Sequence, residues 1–172
     1  GLVLFLVGLL LFQRNERIAK ALKAFPRSKN ATAFLMAIAI VWFSARILTL
    51  GPSDFGDYKV ILLFIFLGIT LSSFYFVPDF LGTRALAGIL LLTSSVLLEV
   101  AFMKDPSSRL FLVSFAYFLI VGSLFLGASP YLIRDLINKI YSSKTNQLIL
   151  GILLLFYGML LFLISFSYYG KY

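Results

Sequence analysis

Two ionisable residues lie inside otherwise uncharged apolar runs: Arg46 within residues 31–51 and Glu99 within residues 85–103. A charge in hydrocarbon is costly, so such residues usually meet a partner charge, a protein interior or water. Arg46 lies five residues before the end of its run and Glu99 four residues before the end of its own. At this matched depth we predict an Arg46–Glu99 ion pair. The alternatives are separate extension of each side chain to the interface, and a role for Glu99 in binding substrate or transferring protons.

Six hydroxyl residues form a second polar set near the middle of two neighbouring apolar runs. They are Thr70, Ser72, Ser73, Thr93, Ser94 and Ser95. In apolar helices such hydroxyls usually bond the carbonyl of the preceding turn or a neighbouring helix, and we expect this role. A site for a small polar solute is the alternative, if the two runs face each other.

The elements that carry these residues are predicted from composition. The chain has 61% hydrophobic and 13% charged residues and a mean hydropathy of +1.01. A hydrocarbon layer of about 30 Å takes about 20 helical residues, a length that most of the apolar runs reach. The runs are 1–12, 31–51, 60–78, 85–103, 110–129 and 147–169. We therefore predict one all-α domain over residues 1–172, a polytopic bundle of about six spans.

The first run is the exception in length. As a helix it covers only about 18 Å. It is therefore short or truncated, and it spans the bilayer only if residues upstream complete it or the bilayer is locally thin.

Positive charge is concentrated in QRNERIAKALKAFPRSKN, residues 13–30, which hold six of the fifteen Lys and Arg residues. These six residues form a predicted basic face: Arg14, Arg17, Lys20, Lys23, Arg27 and Lys29. Lys and Arg are retained on the cytoplasmic side of membrane proteins. Placing this stretch in the cytoplasm puts ten cations inside and four outside, which predicts both termini outside and suits a bacterial inner membrane.

Two segments between spans have amphipathic helical patterns. In residues 14–25, Ile18, Leu22 and Phe25 recur on one side and cations occupy the other. A second pattern covers residues 131–141. Both are predicted to be helices on the membrane surface, with anionic lipids as partners of the basic face.

Small residues mark predicted close contacts between helices. Gly151 and Gly158 lie one heptad apart on one face of the last run, and Ser123 and Gly127 are four residues apart. Such spacing lets the backbones of two helices approach closely.

The residue types that are missing limit the possible functions. The sequence has no Cys and no His, which excludes His- or Cys-ligated metal or haem within the chain. It also lacks a phosphate-binding glycine loop and a nucleophile–base set. Nucleic acid is not expected, because membrane-flanking loops account for the positive charge. The sequence therefore predicts a non-catalytic integral membrane subunit of a larger complex that contacts lipid, pigment or quinone. The alternative is a small carrier or the substrate-binding membrane component of a transporter.

Overall fold

The computed structural model describes residues 1–13, 15–76, 79–102 and 107–169, with backbone alone for Arg27 and residues 167–169. All regular structure in these ranges is helical. The α-helices are α1 (Leu2–Phe12), α2 (Glu16–Ala24), α3 (Lys29–Leu48), α4 (Lys59–Phe76), α5 (Leu81–Ala101), α6 (Arg109–Ala128), α7 (Tyr131–Ser142) and α8 (Lys144–Tyr169). Short 3-10 turns cover Phe25–Arg27, Pro52–Asp54 and Gly56–Tyr58.

Five helices are long and apolar enough to cross a membrane: α3, α4 with the turn before it, α5, α6 and α8. The chain is therefore an all-helical protein of the multi-pass membrane type, as the composition predicts. Helix α1 is apolar but only 11 residues long. Helices α2 and α7 occupy the two segments with amphipathic sequence patterns.

Several spans begin earlier than the hydropathy pattern predicts. Helix α5 starts at Leu81 and takes Arg84 into its first turn, because Gly82 and Thr83 are buried there. Helix α8 starts at Lys144, where the Ser143 hydroxyl accepts a hydrogen bond from the Thr145 backbone N–H at 3.2 Å. Hydropathy ends a span at polar residues, whereas helix starts are set by packing and capping.

The helices pack in an open order. Among the described residues each helix packs mainly on the next in the series α4, α3, α5, α6, with α8 and α1 forming a second closely packed pair. Helix α6 meets α8 over a small area, and α2 contacts α7 at one end of the molecule. A small cluster of Met36, Leu81 and Ala85 marks the contact between α3 and α5.

Helices α5 and α6 approach closely through small residues. Ala87, Ser94 and Ala101 recur every seven residues along α5 and are buried. Ala116 and Ser123 have the same spacing and are buried on α6. A heptad of small residues keeps one face of a helix narrow along its length, so the two backbones come together.

The first and last helices form the closest contact. A Cβ atom added at Gly158 would lie 2.6 Å from the Phe5 backbone nitrogen, and one added at Gly8 would lie 2.8 Å from the Leu155 nitrogen. Gly8 also approaches the carbonyl of Gly151. Positions rise along α1 as they fall along α8, so the two helices are antiparallel. Only glycine fits at these contacts because any side chain would meet backbone atoms.

Candidate functional site

Arg46 and Glu99 form an ion pair between α3 and α5. Arg46 Nη2 contacts Glu99 Oε1 and donates a hydrogen bond to Ser95 Oγ at 3.3 Å. The two helices run parallel, since Thr32 meets Gly82 at their starts and this pair lies near their ends. Parallel packing therefore places the two residues side by side.

The pair lies closer to the helix ends than the sequence predicts. Arg46 is in the last turn of α3, which ends at Leu48, and Glu99 is two residues before the end of α5 at Ala101. A helix C-terminus carries partial negative charge, which favours Arg46 and disfavours Glu99. The positive guanidinium of Arg46 therefore stabilises both the Glu99 carboxylate and the partly negative C-terminal ends of α3 and α5.

The ion pair is accessible. The Arg46 side chain is 35% exposed and that of Glu99 is 58% exposed. Beside it lies a shallow groove of about 550 Å³ between α5 and α6. Its lining is mainly apolar, and Ser95 and Glu99 supply its polar atoms. The arrangement can hold a small solute against one carboxylate, and the groove residues that the structure describes include no acid–base pair with a nucleophile.

The hydroxyl residues do not converge on one site. Helix α3 packs on both α4 and α5, whereas α4 and α5 make no more than isolated contacts in the described chain. Four hydroxyls donate to carbonyls of their own helix at 2.7–2.8 Å: Ser72 to Gly68, Ser73 to Ile69, Thr93 to Ile89 and Ser94 to Leu90. Thr70 is the one buried residue of α4, and Ser95 bonds Arg46. Most of this set therefore satisfies local backbone bonding.

The basic residues of the predicted face lie on and beside α2. The side chains of Arg17, Lys20, Lys23 and Lys29 are exposed, while Arg14 and the Arg27 side chain lie outside the described residues. Asn15 caps α2 by accepting a hydrogen bond from the Arg17 N–H at 2.9 Å. Leu22, on the apolar side of α2, remains 37% exposed. The rest of the chain therefore leaves part of both the basic side and the apolar side of α2 exposed.

Two polar contacts escape prediction from sequence. Gln147 Nε2 donates to the Leu11 carbonyl at 3.0 Å in a buried position, which ties the end of α1 to the start of α8. Tyr157 Oη donates to the Phe111 carbonyl at 2.6 Å and links α8 to α6. The sequence does carry a signal for the Gln147 contact, because Gln147 lies one turn before Gly151 on the glycine face of α8.

The described residues contain no group of three or more Asp and Glu side chains placed to hold a metal ion. Comparison of the chain with protein-family models, with curated proteins and with solved structures gives no match. The interpretation of function therefore rests on the chain's own geometry.

Proposed function

We propose that this chain is a non-catalytic integral membrane subunit of a larger membrane protein complex. The open order of its helices carries the proposal. Within the described residues the ends of that order, α4 and α1, do not close on each other, and α3 is the main neighbour of α4. Helices arranged in this way have broad apolar sides that fit against another membrane protein.

Helix α4 is the clearest example of such a side. Large apolar residues on several faces of α4 are exposed, among them Val60, Ile61, Phe64, Ile65 and Ile69. Its contact with α3 includes the rings of Phe43 and Phe66, whose centroids lie 4.4 Å apart. Lipid or a partner helix covers the rest, and the complex proposed here supplies the partner.

Site-specific photo-cross-linking tests this proposal. A photoreactive phenylalanine analogue at Phe64 should link the chain to the same membrane protein in repeated preparations from native membranes. The control is the same analogue at Met36, which is buried between α3 and α5 and should link only within the chain. A chain that cross-links to lipid alone and purifies in mild detergent as a monodisperse single species would contradict the proposal.

A small carrier, or the substrate-binding membrane component of a transporter, is the second candidate. The groove beside Ser95 and Glu99 favours it. Carriers place substrate sites between helices, often where helices are broken. Uptake of a small cation that falls in Glu99→Gln, and is unchanged in Ser72→Ala, would support this function over the first.

The orientation proposed is that the end carrying α2 and α7 faces the cytoplasm of a bacterial inner membrane, with both termini outside. Two observations support it: Lys and Arg residues cluster on α2 and α7, and these helices contact each other at one end of the molecule. The chain has no cysteine, so single-cysteine variants give a clean readout. A membrane-impermeant maleimide added outside should label Lys59→Cys and leave Lys23→Cys unmodified. The opposite pattern would invert the orientation.

The exposed cations of α2 are further proposed to bind anionic lipid headgroups. Such attraction is worth about 1 kcal/mol per Lys or Arg near an anionic surface. Exposed Leu22 supports insertion of the other side of the helix into the interface. Replacing Lys20 and Lys23 by glutamine should weaken the retention of anionic lipid by the purified chain.

A further inference from the structure

The ends of three long helices border a half-open cavity of about 740 Å³. It lies between the start of α3, the end of α4 and the start of α5, next to the turn that contains Pro26. This volume lies in the range of about 300–1,000 Å³ found for small-molecule sites. Because these helices are apolar enough to cross a membrane, their ends lie at the level of lipid headgroups.

The cavity holds two opposite charges that do not pair with each other. Lys29 and Asp79 both line it, and neither side chain has an ion-pair or hydrogen-bond partner among the described residues. Thr32, which also lines it, donates its hydroxyl hydrogen to the Ser28 carbonyl at 2.9 Å. The Thr32 hydroxyl oxygen can still accept a hydrogen bond from a ligand. Opposite charges held apart in one cavity are complementary to a ligand that carries both signs.

The remaining walls are apolar. Phe74, Phe80, Leu81 and Pro26 contribute them. A soluble ion gains little from such walls, whereas a lipid places its glycerol and first acyl carbons against them. Aromatic rings also attract an ammonium group over their faces. The lining therefore suits a molecule with a zwitterionic head and an apolar body.

Backbone geometry fixes the back of the cavity. Phe80 adopts a left-handed backbone conformation, with φ 57° and ψ 21°, and it precedes the first turn of α5 without a side-chain cap. A bulky residue in this region is strained. Gly82 lies against Thr32 so closely that an added Cβ would be 2.6 Å from Thr32 Oγ1. The start of α5 is thus held against α3.

We propose that this cavity binds the headgroup of a zwitterionic phospholipid, with Lys29 on the phosphate and Asp79 on the ammonium group. The site is independent of the proposed subunit function. It also differs from the basic surface of α2, which has no cavity and suits anionic lipid. A zwitterionic lipid held there fills the space between the ends of α4 and α5, which make only isolated contacts.

Native mass spectrometry of the purified full chain tests the site. The probes are phosphatidylethanolamine and phosphatidylglycerol with identical acyl chains, offered together at equal concentration. We expect the wild-type chain to retain more phosphatidylethanolamine than the Asp79→Asn chain does, whatever anionic lipid α2 holds. Asp79→Asn should lower the ratio of bound phosphatidylethanolamine to phosphatidylglycerol about fivefold, the factor that corresponds to one interfacial charge contact. Lys29→Gln should lower retention of both lipids by a similar factor.

Two matched controls and one further variant make the test specific. Asp54→Asn and Lys144→Gln remove exposed charges outside the cavity and away from the basic face of α2, and they should leave the lipid ratio unchanged. Asp79→Lys should shift the ratio further toward phosphatidylglycerol by raising the amount of phosphatidylglycerol bound, a gain that misfolding would not produce. The proposal is overturned if Asp79→Asn behaves like Asp54→Asn, or if Asp79→Lys leaves the lipid ratio unchanged. Displacement of the lipid by soluble phosphoethanolamine at equal concentration would also overturn it, because the ligand would then be a soluble zwitterion.

Discussion

Replacing Gly158 by alanine should force α1 and α8 apart. The new Cβ would lie 2.6 Å from the Phe5 nitrogen, whereas ordinary contact begins at 3.4 Å, so the backbones must separate by about 0.8 Å (3.4 − 2.6). A gap of about 0.5–1 Å forfeits a quarter to a half of the attraction between the facing atoms. Overpacking of this kind costs about 1–3 kcal/mol. We expect Gly158→Ala to lower the free energy of unfolding by about that amount.

Gly122→Ala is the matched control. Gly122 lies within α6 and an added Cβ would meet no atom within 4 Å. Alanine favours a helix over glycine by up to about 1 kcal/mol, so this variant should be as stable as the wild-type chain or more so. Unfolding of the full chain in detergent, followed by circular dichroism against temperature or denaturing detergent, compares the two. Equal midpoints for Gly158→Ala and Gly122→Ala would refute the reasoning.

A disulfide gives an independent readout of the same contact. A Cβ at Gly151 would lie 3.6 Å from the Leu11 Cβ. Disulfides need a Cβ–Cβ distance of about 3.5–4.5 Å. In a chain without native cysteine, Leu11→Cys with Gly151→Cys should therefore cross-link on mild oxidation, and Leu11→Cys with Gly122→Cys should not. Failure of the first pair to cross-link would show that α1 does not pack on α8 as described.

Three further predictions concern polar contacts. Arg46→Glu and Glu99→Arg should each lower the unfolding midpoint in detergent, and the double variant should recover part of the loss; the effect is about 0–1 kcal/mol because the pair is partly exposed. A double variant as unstable as the sum of the singles would count against the pair. Gln147→Leu should cost about 1–3 kcal/mol, because it leaves the Leu11 carbonyl without its donor in a buried position. Tyr157→Phe should cost about 1 kcal/mol by removing the hydrogen bond between α8 and α6, and an unchanged midpoint would show that this contact does not stabilise the chain.

Hydropathy and charge were sufficient to predict the helical class and the approximate course of the long helices. They work because lipid requires each backbone polar group to be bonded within its own segment. Helix ends were less accurate. Leu81 and Lys144 begin helices that the pattern starts later, since burial of Gly82 and capping by Ser143 decide those ends.

The choice of neighbours could not be predicted. The spacing of Gly151 and Gly158 identifies a face for close packing, but it does not identify α1 as the helix that fills it. The hydroxyl residues of α4 and α5 also lie at similar depths within their apolar runs, which suggests that they could face each other. They remain apart because α3 packs between the two helices, and hydropathy carries no information about that order. Hydropathy likewise does not predict that Lys29 and Asp79 line one cavity, because this depends on which helices are neighbours.

The pairing of α1 with α8 has a consequence for synthesis. Gly8 and Gly151, whose backbones meet where α1 packs on α8, are separated by 143 positions (151 − 8). At about 5–20 residues per second, a ribosome needs about 7–30 s to make that stretch. Throughout that interval α1, an 11-residue apolar helix, has been made without the partner that covers its glycine face. The nascent chain must keep α1 shielded in lipid or by an insertion factor until its last helix arrives.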